Sequence, residues 1–459
     1  MKTAHVRHAP VLLPEQCKGC GRCIDSCAYH CFEDGDEIHQ VSGLVPVRFH
    51  PDACTACGLC IDACPEPYGL SPSSGAPFRN WPILIRQSPV PDARIPLPAS
   101  QPLVIKGMHA AAIGAILGGC RHFFGYPITP STEGAELMAK LLPRLDGAFL
   151  QAVSEVAAIN MIYGAGAAGL RAATFTSSPG FSLMLEGLSY MIGAQVPGVV
   201  VNVMRGGPGL GNLAPAQSDI KLACRGLGHG DTHAIVLAPS TPQEMLDLTL
   251  LAFDLSFKYR NPVIVLADGH LAQMAGRVTL PQWLVKPGLP EWAVTGDSAH
   301  RRNLVSSIAL NEADLEEENL RLLDKYARMA GSEQRADLVQ CDDADVLLVA
   351  CNTPARTAMG AVRDLRVRGI KAGLFRPLTL WPFPIGSLAR LLDGVRRLIV
   401  VEASAGQLED EMRLAISRAG LKTPAIERLN RYGGVLPSHG EIVGRVSTEA
   451  DTHLRGVAV

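Results

Sequence analysis

The chain is poor in several things whose scarcity narrows what it can be. Aromatic residues make up 5% of its 459 residues, and charged residues 19%. Its formal net charge is −2, from 42 Lys and Arg against 44 Asp and Glu. There is no surplus of positive charge to hold a nucleic acid or an anionic membrane. No uninterrupted apolar run reaches the roughly 18 residues a membrane span needs. The richest stretch, Met161 to Met204, is broken by Arg171 and Glu186, so membrane insertion is not expected. Residues Met1 to Gln16 lack the apolar core of a secretory leader, and the expected location is the cytoplasm. There is no repeat of fixed period.

What is present is concentrated. Hydrophobic residues make up 47% of the chain and there are 45 Gly, enough for two or three packed domains at this length. Of 13 Cys, nine lie in the first 64 residues, while Cys120, Cys224, Cys341 and Cys351 are scattered. Those scattered four suit buried apolar positions. In a cytoplasmic chain, the clustered nine argue for metal rather than disulfides.

The clustered cysteines form two groups, Cys17-Lys-Gly-Cys20-Gly-Arg-Cys23-Ile-Asp-Ser-Cys27 and Cys54-Thr-Ala-Cys57-Gly-Leu-Cys60-Ile-Asp-Ala-Cys64-Pro65. Both resemble the spacing of two-cluster bacterial ferredoxins. Three cysteines at intervals of three wrap one cubane, and the fourth reaches the neighbouring one. Cys17, Cys20, Cys23 and Cys64 are therefore expected to hold one 4Fe–4S cluster, and Cys54, Cys57, Cys60 and Cys27 the other. A zinc ribbon is the competing reading, but it uses two cysteines per knuckle and here each knuckle supplies four. Cys27 is followed by Ala28 rather than Pro, and Cys31, four residues beyond it, is a spare and the alternative fourth ligand. A turn at Asp34-Gly35-Asp36 and a strand from Leu44 to Phe49 would separate the two groups.

Residues 1–70 are expected to be this cluster domain. Residues 71–102 read as a Pro-rich linker: from 65 to 102, ten of 38 residues are Pro. That composition predicts a stiff, extended tether with little secondary structure. An apolar group inside it, Trp81 with Ile83, Leu84 and Ile85, is expected to lie against a surface. From Val104 helices and strands alternate. Helices are expected at Gly107–Gly119, Thr132–Leu142, Glu155–Gly169 and Phe181–Ala194. Strands are expected from Phe123, at Arg171–Thr176, Val199–Val203 and Val263–Leu266. Such alternation predicts a parallel sheet covered on both faces, placed at residues 103–272. Residues 273–340 read as a connector holding an amphipathic helix, Asn311–Met329. Its Leu315, Leu322, Tyr326 and Met329 share one face, and Glu316-Glu317-Glu318 form a solvated one. A second α/β domain is expected over 341–459.

Six ordered blocks carry a resemblance to the 2-oxoacid:ferredoxin oxidoreductases. They are Phe124-Gly-Tyr-Pro127-Ile128-Thr129-Pro-Ser-Thr132, Ser154-Glu155-Val-Ala-Ala-Ile-Asn160, Thr174-Phe-Thr-Ser-Ser-Pro-Gly-Phe-Ser182, Arg205-Gly-Gly-Pro-Gly-Leu-Gly211, Leu374-Phe-Arg-Pro-Leu-Thr-Leu-Trp-Pro-Phe-Pro384 and Val401-Glu-Ala-Ser-Ala-Gly-Gln407. Two departures stand out. Met108-His109 occupies the place of a usual Asn-Glu pair, and Ser178 that of a Gly.

The resemblance implies a doubly wound α/β domain that binds the pyrimidine of thiamine diphosphate. It also implies a second, transketolase C-terminal-like α/β domain. By resemblance Glu155 is the carboxylate that drives the aminopyrimidine into its imino form. Pro127, Ile128 and Thr129 present a loop to the cofactor, with the Thr129 hydroxyl on the cofactor or the substrate. Arg205 grips the carboxylate of the 2-oxoacid. No Gly-Asp-Gly followed by a downstream Asn occurs, so Mg²⁺ and the diphosphate are expected on a partner, a beta subunit, with a gamma subunit completing the assembly.

The implied activity is oxidative decarboxylation of a 2-oxoacid with coenzyme A as co-substrate, electrons leaving singly to ferredoxin or another acceptor. The Arg205–Gly211 loop is most like that of branched-chain or broad-range enzymes. 2-Oxoglutarate and aromatic 2-oxoacids are the other substrates considered. The competing reading is an electron-transfer ferredoxin subunit whose α/β part is a non-catalytic scaffold.

Overall fold

The computed structural model describes residues 9–40, 42–65, 69–72, 91–295, 300 and 302–455. The chain divides into two units, one within residues 1–86 and the other from residue 87 onward.

The head is small. Strand β1 (Pro10–Leu12) and the short strands β2 (Phe32–Glu33) and β3 (Arg48–Phe49) are joined by β4 (Leu70–Pro72). β1 pairs antiparallel with β4, and β2 with β3. The expected strand from Leu44 shrinks to two residues. Pro46 has no N–H to give to a ladder. The backbone of Val45 and Pro46 is instead pressed against two glycines. A Cβ on Gly19 would lie 2.1 Å from the Val45 carbonyl oxygen, and one on Gly35 would lie 2.0 Å from that of Pro46.

The second unit begins with β5 (Ala93–Pro96) and β6 (Leu103–Lys106). The tether is thus not without structure where it is described. Arg94 and Ile95 supply β-forming positions, and Pro96 ends the strand where a missing N–H costs nothing. The apolar group Trp81, Ile83, Leu84 and Ile85 lies outside the described residues.

Six parallel strands follow: β7 (His122–Gly125), β8 (Ala148–Gln151), β9 (Ala172–Ser177), β10 (Gly198–Met204), β11 (Ile235–Leu237) and β12 (Pro262–Asp268). β10 and β12 are buried at every residue, the mark of a parallel strand covered on both sides. Next come β13 (Ala275–Val278) and β14 (Trp283–Lys286), which turn back and pair with β6 and β5. The beginning of the expected connector therefore folds onto the end of the expected linker. The expected helix Phe181–Ala194 is two helices, Ser178–Leu183 and Leu185–Gly193, separated at Met184.

The helix expected at Asn311–Met329 spans Glu312–Ser332, capped by the Asn311 side chain. It is seated only by its C-terminal part. Tyr326 and Met329 are buried while Leu315 is exposed. Glu317 and Glu318 pair with Arg321 on the exposed face.

The last strands are β15 (Ala336–Val339), β16 (Val346–Val349), β17 (Ala372–Pro377), β18 (Thr379–Trp381), β19 (Arg397–Glu402) and β20 (Ala425–Asn430). They form a five-stranded sheet in the order β15-β17-β16-β19-β20, except for β18. That strand joins the edge of the first sheet, antiparallel to β11, and completes the order β18-β11-β12-β10-β9-β7-β8. Alternation along the second sheet also ties the two together. Leu347, Val349, Phe375, Leu398 and Val400 belong to the core of the first sheet. Val346, Leu348, Leu374, Ile399 and Val401 face a separate core.

Candidate functional site

In the head, two small pockets of like size are lined by cysteines. The first is bounded by Cys17, Cys20, Cys23 and Cys64, and the second by Cys27, Cys54, Cys57 and Cys60. These are the two sets expected from spacing. The two Cys-x-x-Cys loops turn alike: Gly19 and Ala56 both adopt positive φ. Their N–H groups donate to Cys17 Sγ and Cys54 Sγ at 3.4 Å. Burial, and then the neighbouring thiols, push Cys23 and Cys60 up to about 11. Crowding of this kind is relieved when a cationic body draws the protons off. Among the described residues no three His, Cys, Asp or Glu side chains converge tightly enough to hold a single metal ion. Cys31, the spare, also lines the second cavity and is almost wholly buried.

In the second unit, the sequence-nominated residues gather at the C-terminal ends of β7 to β10, where parallel sheets bind ligands. Glu155 opens the helix Glu155–Ala167, which Ser154 caps by accepting from the Ala157 N–H. The carboxylate is 5% exposed. It is more than a first-turn Glu complementing a helix dipole, because it lies over Gly180. A Cβ there would be 2.4 Å from both Glu155 Oε1 and Thr176 Oγ1. Only glycine leaves that space free. Thr174 Oγ1 and Thr176 Oγ1 are buried without a hydrogen-bond partner. A buried carboxylate, orphaned hydroxyls and a cradle kept open by glycine fit an aminopyrimidine.

Arg205 follows β10 and is 7% exposed. One guanidinium nitrogen donates to the Thr129 carbonyl oxygen at 2.7 Å, while Nε is buried without a partner. Thr129 and Arg205 are thus brought together through the Thr129 main chain. The Thr129 and Pro127 side chains are exposed at the rim, and Ile128 is half-buried. Ser178, the departure noted in the sequence, sits at the centre of this arrangement. Its hydroxyl accepts from the Arg205 N–H at 3.1 Å and donates to Asp219 Oδ2 at 2.6 Å. Asn202 donates to the same oxygen at 2.9 Å. Burial raises the Asp219 pKa, opposed by bonds from Ser178, Asn202 and Ser218 and by the nearby Arg205. Asn202 was not singled out from the sequence. A lone amide inside the run Val199-Val-Val-Asn202-Val-Met204 was the signal that could have found it.

The neighbouring block is structural. Gln217 donates to the Cys351 carbonyl at 3.1 Å and accepts from the Ala403 N–H at 2.8 Å, joining the two sheets. Cys120 and Cys224 are fully buried, as expected of small hydrophobes.

Comparison with known proteins gives three family matches. Residues 113–291 match the thiamine diphosphate-binding domain of pyruvate flavodoxin/ferredoxin oxidoreductases. Residues 344–442 match core domain II of pyruvate:ferredoxin oxidoreductase, and residues 16–67 a 4Fe–4S dicluster domain. The chain is 45% identical over 345 residues to ketoisovalerate oxidoreductase subunit VorB of Methanothermobacter thermautotrophicus, spanning 75% of this chain and 96% of that protein. It is 34% identical over 357 residues to 2-oxoglutarate synthase subunit KorA of Methanocaldococcus jannaschii, spanning 72% and 95%. Among solved structures, it superposes with a TM-score of 0.70 and 28% identity on 2-oxoglutarate:ferredoxin oxidoreductase from Magnetococcus marinus, solved with 2-oxoglutarate, coenzyme A and succinyl-CoA bound. That match covers 76% of this chain and 65% of the other.

Proposed function

The chain belongs to the 2-oxoacid:ferredoxin oxidoreductase family, and from that membership we propose that its Glu155 cradle is the pyrimidine half of a thiamine site. Thiamine diphosphate, when bound, supplies the carbanion and the electron sink for decarboxylation. The chain's own residues do the rest. Glu155 holds a proton at a pyrimidine nitrogen, and its burial excludes water from that bond. Gly180 leaves the room for it.

Arg205 presents its free Nε and remaining donors to the carboxylate of a 2-oxoacid. Its other face is fixed by the Thr129 carbonyl, and Ser178, itself donating to Asp219, and Ser218 hold its main chain. Coenzyme A takes the acyl group. The head's cysteines hold the clusters through which electrons leave singly to ferredoxin or a similar acceptor.

The diphosphate and Mg²⁺ belong on a beta subunit, with a gamma subunit completing the complex. Val153, Val156 and Leu183, on the elements that flank Glu155, are exposed, and a partner chain would cover them. The substrate class we propose is a branched-chain 2-oxoacid. It is supported by the closer identity to the ketoisovalerate subunit than to the 2-oxoglutarate one and by the Arg205–Gly211 loop. Among the described residues no helix is long and apolar enough to cross a membrane, which agrees with a cytoplasmic location.

The observation that carries this reading is the Glu155 carboxylate buried over Gly180 and Thr176. In the assembled enzyme, Glu155→Gln keeps the shape and removes the acid–base function. Turnover should fall by about 10²–10⁴-fold with cluster content unchanged. Near-normal turnover would refute the role.

A further inference from the structure

The two cluster cavities differ in one respect. Beside its four cysteines, the first is lined by Leu12, Lys18, Val47, Gly69 and Leu70. The second is lined by a fifth cysteine, Cys31. Cys31 is 1% exposed. Its N–H donates to Cys27 Sγ at 3.4 Å, and its thiol donates to the Tyr29 carbonyl oxygen at 3.7 Å. A cysteine serving only as a small hydrophobe would have no reason to line the same cavity as four others. Cys27 and Cys31 are also carried by one short segment, four residues apart, which delivers the fourth corner from the other motif. Cys27 itself is half-buried, so the deeper of the two thiols is the spare.

We propose that Cys31 is a reserve ligand for the second cluster, able to take the iron corner that Cys27 holds. The proposal rests on the cavity holding a 4Fe–4S cluster. In the exchange the iron–sulfur bond to Cys27 breaks and one to Cys31 forms. The Cys31 thiol gives up its proton and the released Cys27 thiolate takes one up. No oxidation state changes. The consequence is asymmetry: loss of its fourth ligand costs the first cluster an iron, whereas the second keeps all four.

The test compares variants of the full chain, reconstituted anaerobically, by iron content and electron paramagnetic resonance. The parent should hold about eight irons, from two 4Fe–4S clusters. Cys27→Ala should also hold about eight and, when reduced, give a 4Fe signal shifted from the parent's. Cys64→Ala, whose cavity has no fifth thiol, and Cys27→Ala/Cys31→Ala should each lose an iron and show an oxidised three-iron signal. If Cys27→Ala loses iron as Cys64→Ala does, or matches the double variant, Cys31 is no ligand and the proposal fails. A parent with no cubane signal would overturn the cluster reading as well. Should Cys27→Ala not fold, Cys31→Ala decides, since it keeps all four primary ligands. Under ferricyanide its second cluster should convert to the three-iron form several-fold faster than the parent's, and equal rates would overturn the proposal.

Discussion

The head and the α/β body bury their function in opposite ways. In the head, four of the seven buried core residues are Cys17, Cys23, Cys31 and Cys60. The interior there is largely thiol, with Phe32, Val47 and Leu70 around it. In the body, a continuous apolar core runs beneath both sheets, and the chemistry sits at its edge as a few buried polar groups. A core so rich in thiols is expected to need the bound clusters to hold its fold, and an apolar core of the body's size is not.

The largest effect that could break this comparison is metal removal. Chelation of iron under reducing conditions should abolish hydrogen-exchange protection across residues 10–64 and leave protection of β10 and β12 unchanged. Protection lost equally in both would mean that the body also needs the clusters. Next is Gly180→Ala. The new Cβ would collide with Glu155 Oε1 at 2.4 Å, so the carboxylate must move. Turnover should fall by roughly 10²-fold, the cost of about 1 Å of misplacement, with only a small change in thermal midpoint. A large stability loss without an activity effect would make Gly180 a packing residue alone.

The smallest effect concerns the C-terminal part of the helix Glu312–Ser332, by which that helix is seated. Lys325 is buried on the helix Glu312–Ser332, its ammonium 3.4 Å from the Arg260 carbonyl. Burial, then Arg260 and Arg328, lowers its pKa to about 7. An unfolded Lys titrates near 10.5, so between pH 7 and 10.5 the unfolded chain binds the extra proton and stability rises with pH. Lys325→Met should raise the thermal midpoint of the body by a few degrees at pH 7. The advantage should shrink as the pH nears 10, and one independent of pH would rule out this cause.

The same contrast governs what could be read from the sequence. Cysteine spacing is a local property, so the two sets lining the two pockets were legible, as was Cys31 as the alternative to Cys27. The buried parallel strands were legible because β-branched runs such as Val199–Val203 have few other uses. Less visible was pairing over long distances. β5 sits in a Pro-rich stretch, and its partner β14 lies some 190 residues on. β18 has three residues and crosses to the other sheet. Ser178 looked like a simple departure until its hydroxyl was seen joining the Arg205 main chain to Asp219.

The most direct test of the central claim is a spectroscopic one. The chain, anaerobic and loaded with clusters, is mixed with a diphosphate-binding partner chain, thiamine diphosphate, Mg²⁺, coenzyme A and 3-methyl-2-oxobutanoate, and cluster absorbance is followed. The account predicts bleaching of the head's clusters that requires the oxoacid and is lost in Glu155→Gln. Fully loaded clusters that no 2-oxoacid reduces would contradict it, leaving the α/β body as a scaffold for an electron carrier.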